Sequence, residues 1–213
     1  MKRRSQQTIC LGLLLVASVA GCTRATWPPP SPAPVPSAAR ADEPRAAEAR
    51  KLDQVLLHFQ KGATLLESGK FNEAKTVFEG LRTNYPHVSV FHNNLGVVYK
   101  RLGLLNEAIA AYRQAITIHP GYSEAHYNLA IALREQGRFR EAEEAYRHAI
   151  NSAPDFRDAH YNLAVLYDLY LNEPEKAIEH YETYLVSGGE GREEVTIWIT
   201  ALQKRAERTK EGQ

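Results

Sequence analysis

Two consecutive stretches of the chain align on each other without a gap, and they decide the fold. They read FHNNLGVVYKRLGLLNEAIAAYRQAITIHP at 91–120 and AHYNLAIALREQGRFREAEEAYRHAINSAP at 125–154. Four sets of residues recur at a period of 34: Gly69, Gly103 and Gly137; Ala74, Ala108 and Ala142; Phe78, Tyr112 and Tyr146; and Pro86, Pro120 and Pro154. A fixed period in this range is typical of a solenoid built from one repeated unit.

Each period predicts a pair of helices. In the second unit, Leu95, Gly96 and Tyr99 lie at helical spacing and mark the first helix. Gly103 ends that helix because glycine readily adopts a positive φ. Pro120 stops the second helix, since proline cannot continue the hydrogen-bond ladder.

This pattern resembles the tetratricopeptide repeat. The resemblance implies an all-α, right-handed α-solenoid of about four helix hairpins and a C-terminal capping helix. The repeat domain is expected over 51–188, with units at about 55–88, 89–122, 123–156 and 157–188. Residues 189–213 are expected to form the capping helix and a tail, with Val195, Ile197, Trp198, Ile199 and Leu202 on its apolar side.

The fourth unit has one residue more than the others. Ala177 and Tyr181 lie 35 residues after Ala142 and Tyr146. We expect the extra residue in the turn between the two helices of that unit, at Asn172-Glu173-Pro174.

The N-terminus has the pattern of a secretory signal. Lys2, Arg3 and Arg4 precede a short apolar run at 9–19, which is too short to span a bilayer. The sequence Val19-Ala20-Gly21-Cys22 resembles the bacterial lipoprotein signal. The resemblance implies that 1–21 are a cleaved signal peptide. It also implies that Cys22 carries the lipid anchor, which includes palmitate. The alternative is an ordinary secretory signal with an incidental cysteine.

Residues 22–50 are predicted to be a disordered tether rich in proline and alanine. Seven of the eleven prolines lie between Pro28 and Pro44, and this density opposes helix and favours extended polyproline II. A proline-rich ligand for another domain is the alternative. Thr23 follows the cysteine where an aspartate would signal retention at the inner membrane, so the expected location is the outer membrane, facing the periplasm.

The composition excludes several classes of function. A formal net charge of +1 over 213 residues gives no basic field for nucleic acid. The cysteines, Cys10 and Cys22, both lie near the N-terminus, so a cysteine-ligated metal site is excluded. The sequence contains no G-x-S-x-G or H-E-x-x-H motif and no phosphate-binding glycine loop. We therefore expect no catalytic residue, no metal and no cofactor.

The resemblance also implies that the first helix of each unit lines a concave groove. Asn94, Asn128 and Asn162 share one inward position there, and Gln60 takes it in the first unit. Amide side chains both donate and accept hydrogen bonds, so a row of them can bind the backbone of an extended peptide. Alternatively, the amides bond to neighbouring helices and stabilise the stack. The sequence leaves both interpretations open.

Other side chains are expected to flank this row. They are Asn93, Tyr127 and Tyr161; Val97, Ile131 and Val165; and Lys100, Arg101 and Arg134. Aromatic and branched side chains offer contact area at a low entropic cost. The first two units carry net positive charge and the last two net negative charge, which indicates a polarised groove or, alternatively, ordinary solvated faces.

Two further binding modes are not supported. A related family clamps C-terminal carboxylates with lysine and asparagine, but Phe59, Ala63 and Glu124 occupy three of those sites here. Four histidines also repeat at a period of 34, namely His58, His92, His126 and His160. Equivalent atoms of adjacent repeats lie roughly 10 Å apart, which is too far for shared metal coordination, so packing is the expected role.

Two functions are compatible with these features. The first is a lipid-anchored scaffold of the bacterial cell envelope that binds an extended peptide or a partner protein in its groove. The alternative is a structural subunit of an outer-membrane complex, of pilus or secretion type, which docks through its outer surface or its capping helix. An enzyme is not expected.

Overall fold

The computed structural model describes residues 38–211, with side chains from 45 to 208. The predicted signal peptide, Cys22 and the predicted tether up to residue 37 lie outside the described residues. The chain divides into two units after Pro44, and the helical repeats belong to the second unit. Among the described residues, no helix is both long enough and apolar enough to cross a bilayer.

Helices account for nearly all of the described chain, and the predicted all-α solenoid is confirmed. The helices are α1 (Ala38–Glu67), α2 (Phe71–Asn84), α3 (Ser89–Arg101), α4 (Leu105–Ile118), α5 (Ser123–Glu135), α6 (Phe139–Ser152), α7 (Arg157–Leu166), α8 (Pro174–Val186) and α9 (Arg192–Glu211). Each odd-numbered helix from α3 to α7 packs against the helix that follows it and against the one before it.

Glycine closes the first three hairpins. Gly69, Gly103 and Gly137 adopt φ of +75°, +77° and +75°. Residues with a Cβ rarely adopt this backbone conformation. The next residue then donates its N–H to a carbonyl five residues back, as from Leu104 to Tyr99 at 2.9 Å. This bond pairs a helix-end carbonyl that would otherwise have no partner in the helix.

Small residues allow the paired helices to pack closely. Ala74, Ala108, Ala142 and Ala177 are fully buried at equivalent positions. The ring that follows each of them, such as Tyr112 in α4, is also buried and fills the interior of the hairpin. The apolar core therefore repeats with the sequence period.

The extra residue of the fourth unit is not in the turn between helices, as the sequence had suggested. It is taken up by a π-helical turn, Tyr167–Leu171, which continues α7. Asn172 then adopts φ +53° in place of the glycine of the other units, and Glu173 N–H bonds to the Tyr167 carbonyl six residues back at 2.9 Å. The spacing between equivalent residues of successive units gives only the total length of the hairpin. It therefore could not show where in the hairpin the extra residue lies.

Helix α9 packs on α8 and covers the end of the solenoid. Val195, Ile199, Leu202 and Ala206 form its buried stripe, at the spacing of one helix face. Ile197 lies outside this stripe and is 62% exposed, which corrects the expectation that it faces the core. Trp198 is also largely exposed, although its ring contacts those of Tyr161 and Tyr181.

Helix α1 begins earlier than the sequence suggested. Residues 38–50, assigned to the disordered tether, are helical. The proline density ends at Pro36, and 38–50 then consist mostly of alanine, arginine and glutamate, which have high helix propensity. One further proline, Pro44, is accommodated within the helix. As a result, α1 extends well ahead of its own hairpin.

Candidate functional site: the wall of first helices

The first helices of adjacent units bond to each other through polar side chains. Asn128 on α5 donates from Nδ2 to Oδ1 of Asn93 on α3 at 3.0 Å. Asn162 on α7 donates to the Tyr127 hydroxyl on α5 at 3.1 Å. These bonds join α3, α5 and α7 into one surface, which we call the amide wall.

The three equivalent asparagines also bond within the protein. Asn94 donates to the Val90 carbonyl at 2.8 Å, and Asn162 donates to the Asp158 carbonyl at 2.9 Å. The bonding to neighbouring helices that the sequence left as an alternative is therefore present. All three side chains are nevertheless only half-buried, so each still meets solvent. Gln60 is exposed on α1.

Asn93 lies deeper than the sequence suggested. Its side chain is 7% exposed, and besides Asn128 it is hydrogen-bonded to the Tyr122 hydroxyl, whose pKa is raised by burial. An amide with two such partners is a structural link between α3 and α5. We therefore place Asn93 behind the amide wall and not on its surface.

Tyr127 and Tyr161 contribute partly to packing. The Tyr127 ring lies 4.8 Å from that of Phe156, and burial raises the pKa of its hydroxyl. The Tyr161 ring lies 5.1 Å from Tyr184 and 6.5 Å from Trp198. Both tyrosines are half-buried, so part of each ring remains on the surface.

Three branched residues form the apolar part of the wall. Val97, Ile131 and Val165 are half-buried and pack against the main core. Their equivalent positions in α3, α5 and α7 make a row beside the asparagines. The wall therefore offers apolar contact next to amide groups, a combination found in peptide-binding surfaces.

The cations of the wall differ in how they are paired. Lys100 forms an ion pair with Glu135 across the α3–α5 boundary at 3.4 Å. Arg134 donates to Oδ1 of Asn162 at 3.4 Å, while Arg101 is exposed at the end of α3. Together these four charged groups leave a net charge of +2 at the C-terminal ends of α3 and α5.

The repeated histidines have a structural role. His92, His126 and His160 are buried, and each donates from Nε2 to a proline carbonyl, of Pro86, Pro120 and Pro154, at 2.9, 2.8 and 3.1 Å. His58 is exposed and bonds to the Gln54 carbonyl on its own helix. Within the described side chains, no group of three His, Cys, Asp or Glu residues is arranged to hold a metal ion.

The structure shows a charge network around one buried carboxylate that sequence patterns did not indicate. Glu143, only 8% exposed, accepts from the Tyr167 hydroxyl at 2.8 Å and pairs with Arg140 at 2.8 Å. Glu173 bridges Arg140 and Lys176, and hydrogen bonds from these cations lower its pKa. The network joins α6 to the π-helical turn and α8, so we assign it a structural role.

The sequence analysis also missed an apolar groove between α1 and the start of α3. Leu52, Val55, Leu56 and Phe59 of α1 line one side of it. Their spacing is that of one helix face, so the signal was present. It was not recognised because the repeat pattern begins only at about Val55, so Leu52 and the residues before it were not predicted to continue the helix.

Comparisons with known proteins identify the repeats. Three family models, each described as tetratricopeptide repeat, match residues 57–87, 88–155 and 127–192. No curated protein sequence matches the chain.

Solved structures with the same fold are numerous. MamA is 25% identical over 70% of this chain and 96% of its own, with a TM-score of 0.55. Pseudomonas aeruginosa PilF is 22% identical over 73% of this chain and 70% of its own, with a TM-score of 0.63. YrrB, described as having an unusual peptide-binding site, is 21% identical over 70% of this chain and 74% of its own, with a TM-score of 0.56.

Proposed function

Because residues 57–192 consist of tetratricopeptide repeats, we propose that this chain is a lipid-anchored scaffold of the cell envelope that binds a partner protein. The amide wall is the proposed binding surface. The observation that carries the proposal is the row of half-exposed asparagines beside branched apolar side chains on α3, α5 and α7. The proposal includes no catalytic role.

An extended segment of the partner is the proposed ligand. Asn94 and Asn128 each use one amide hydrogen within the protein. Because an amide nitrogen carries two hydrogens and its oxygen has two lone pairs, each retains capacity for a peptide backbone. Among proteins of the same fold, one solved structure is that of a repeat domain of Spaghetti (RPAP3) bound to an HSP90 peptide.

Site-specific photocrosslinking in intact cells tests the binding surface. A photoreactive residue at Val97 or Ile131 should yield a crosslinked partner, whereas one at Asn151, exposed on α6, should not. Combining the probe at Val97 with Asn94→Ala and Asn128→Ala should abolish the adduct while leaving the helical circular dichroism intact. Equal adducts from Val97 and Asn151 would reject the amide wall.

A second function is favoured by the exposed side chains of α9. Ile197 and Trp198 are 62% and 39% exposed on the capping helix, which suits docking in an outer-membrane assembly of pilus or secretion type. Crosslinks obtained from Ile197 and absent from Val97 would support this alternative over the first.

The proposed anchor rests on the sequence around Cys22. Small residues precede the cysteine, and its thiol would take the lipid. Two or more acyl chains hold a protein firmly on a membrane, at about 0.8 kcal/mol per buried CH₂. With Thr23 after the cysteine, we place the protein in the outer membrane, facing the periplasm. Replacing Cys22 by Ser should abolish palmitate labelling and release the protein from the membrane fraction; unchanged labelling would reject the site.

A further inference from the structure

A groove of about 600 Å³ opens between the middle of α1 and the start of α3. Its lining is almost entirely apolar, with Glu48 and Lys51 as the charged exceptions. The remaining lining residues are Leu52, Val55, Leu56, Phe59, Tyr85, Val88, Val90 and Phe91. Leu52 and Leu56 are 59% and 51% exposed, and clustered exposed side chains of this size mark an interaction site.

The groove exists because α1 is long. Helix α1 has 30 residues, whereas α3 and α5 each have 13. By the 34-residue period the first helix would begin at Val55, since α3 begins at Ser89. The lining residues Glu48, Lys51 and Leu52 therefore belong to a part of α1 that the repeat alone does not require.

Cations lie at the other end of α3 and at the equivalent end of α5. Val90 lines the groove and Lys100 lies ten residues later on α3, which corresponds to about 15 Å along the helix axis. Arg101 is exposed beside Lys100. Arg134 occupies on α5 the position that Lys100 has on α3, 34 residues earlier. Asn94 lies between the apolar and the basic end of α3.

We propose that the groove holds bulky apolar side chains of the partner segment, while acidic side chains of the same segment pair with Lys100, Arg101 and Arg134. This inference rests on the proposed function and names the chemistry of the ligand. An extended chain advances about 3.3 Å per residue, so the acidic residues follow the apolar anchor by four or five positions. Charge complementarity supports an acidic partner, because the first two repeat units, 55–122, carry net positive charge.

The recognition differs from a carboxylate clamp. Phe59 occupies a site where that clamp has lysine, and here it lines the apolar groove. The cations instead lie at the C-terminal ends of α3 and α5. The acidic groups of the ligand are therefore side chains within the segment, so a free C-terminus is not required.

Fluorescence anisotropy with a designed probe tests the proposal on the full chain in detergent. The labelled peptide is Gly-Leu-Phe-Ser-Gly-Ser-Glu-Glu-Gly, in which the first glutamate follows the phenylalanine by four positions and the leucine by five. Two matched peptides replace Glu-Glu by Gln-Gln or Leu-Phe by Ser-Ser. We expect each matched peptide to bind about tenfold more weakly than the parent, as for the loss of one anchor.

Variants of exposed residues locate the two contacts. Leu56→Glu should weaken binding of the parent peptide about tenfold, whereas Leu57→Glu should not, because Leu57 is 65% exposed on α1 but does not line the groove. Arg101→Glu should weaken binding and reduce its dependence on salt. Arg82→Glu, exposed on α2, serves as the matched charge control.

The remaining outcomes would overturn the proposal. Equal binding of the Glu-Glu and Gln-Gln peptides, or binding insensitive to Leu56→Glu, would remove one of the two contacts. Self-association of the chain that Leu56→Glu abolishes, without peptide binding, would make the groove a contact between two copies. If the parent peptide does not bind while crosslinks from Val97 to a partner persist, the proposed combination of apolar and acidic side chains is wrong. The proposed function then stands.

Discussion

Glycine sets the distance between the two helices of a hairpin. A Cβ on Gly96 would lie 2.6 Å from the Tyr112 ring, and one on Gly62 would lie 2.8 Å from the Phe78 ring. The third and fourth units have alanine at this position, Ala130 and Ala164. In the second hairpin the Tyr112 ring therefore packs directly against the backbone at Gly96. Gly96→Ala should lower the free energy of unfolding by about 1–3 kcal/mol, as measured by urea denaturation.

A second glycine provides the control for this measurement. Gly80 lies within α2, and a Cβ there would meet no atom within 4 Å. Gly80→Ala should raise stability by about 0.5–1 kcal/mol, because alanine loses less backbone entropy in a helix. If both variants gained stability, the close contact between Gly96 and Tyr112 would not be a constraint.

Individual side-chain partners could be predicted least well from the sequence. Asn94, Asn128 and Asn162 occupy one repeat position, yet their bonds differ because the residues facing them differ. Asn128 meets Asn93, while Asn162 meets Tyr127. Periodicity predicts which positions are equivalent, but a hydrogen bond depends on the atoms of both partners.

At the scale of elements, the π-helical turn gives the fourth hairpin its own geometry. The turn ends at Asn172, which has a positive φ without being glycine, a conformation that costs other residues roughly 1–2 kcal/mol. We expect Asn172→Val to lower the melting temperature clearly and Asn172→Gly to maintain or raise it. Ser187→Val, at the exposed end of α8 and with φ −77°, should have little effect. Equal losses in the two valine variants would contradict this account.

The sequence predicted the helices of the repeats better than the elements at either end of them. Pairs of helices follow from recurring glycine, alanine and proline, so the fold class was correctly predicted. The start of α1 was not, because Pro44 and the prolines before it indicated an extended chain. The apolar groove depends on that start, and it was missed because the repeat pattern begins only at about Val55.

At the scale of the whole molecule, a hydrogen-bonded pair of histidines, one buried and one half-buried, makes stability depend on pH. His160 donates from Nε2 to the Pro154 carbonyl, so its Nδ1 accepts from Nδ1–H of His180 at 3.0 Å. Burial, together with the neighbouring His160, lowers the pKa of His180 from 6.5 to about 4. The unfolded chain therefore binds a proton at a higher pH than the folded one.

The sign of the pH effect follows from that difference. The contribution of the neutral His180 to stability is fully present above its unfolded pKa of 6.5 and is lost as the pH drops towards 4. Between pH 7 and 5.5 His180 should account for a loss of about 1 kcal/mol in the free energy of unfolding. Urea denaturation at both pH values should show a smaller loss in His180→Phe, with His119→Phe, which is exposed, as the control. An unchanged loss in His180→Phe would exclude this pair as the source.

The bonds from His92, His126 and His160 to proline carbonyls have a mechanical consequence. Each bond joins the first helix of one unit to the end of the unit before it, so three successive joints are tied by the same kind of hydrogen bond. These buried joints, and not a bound partner, therefore set the spacing between equivalent side chains on successive first helices.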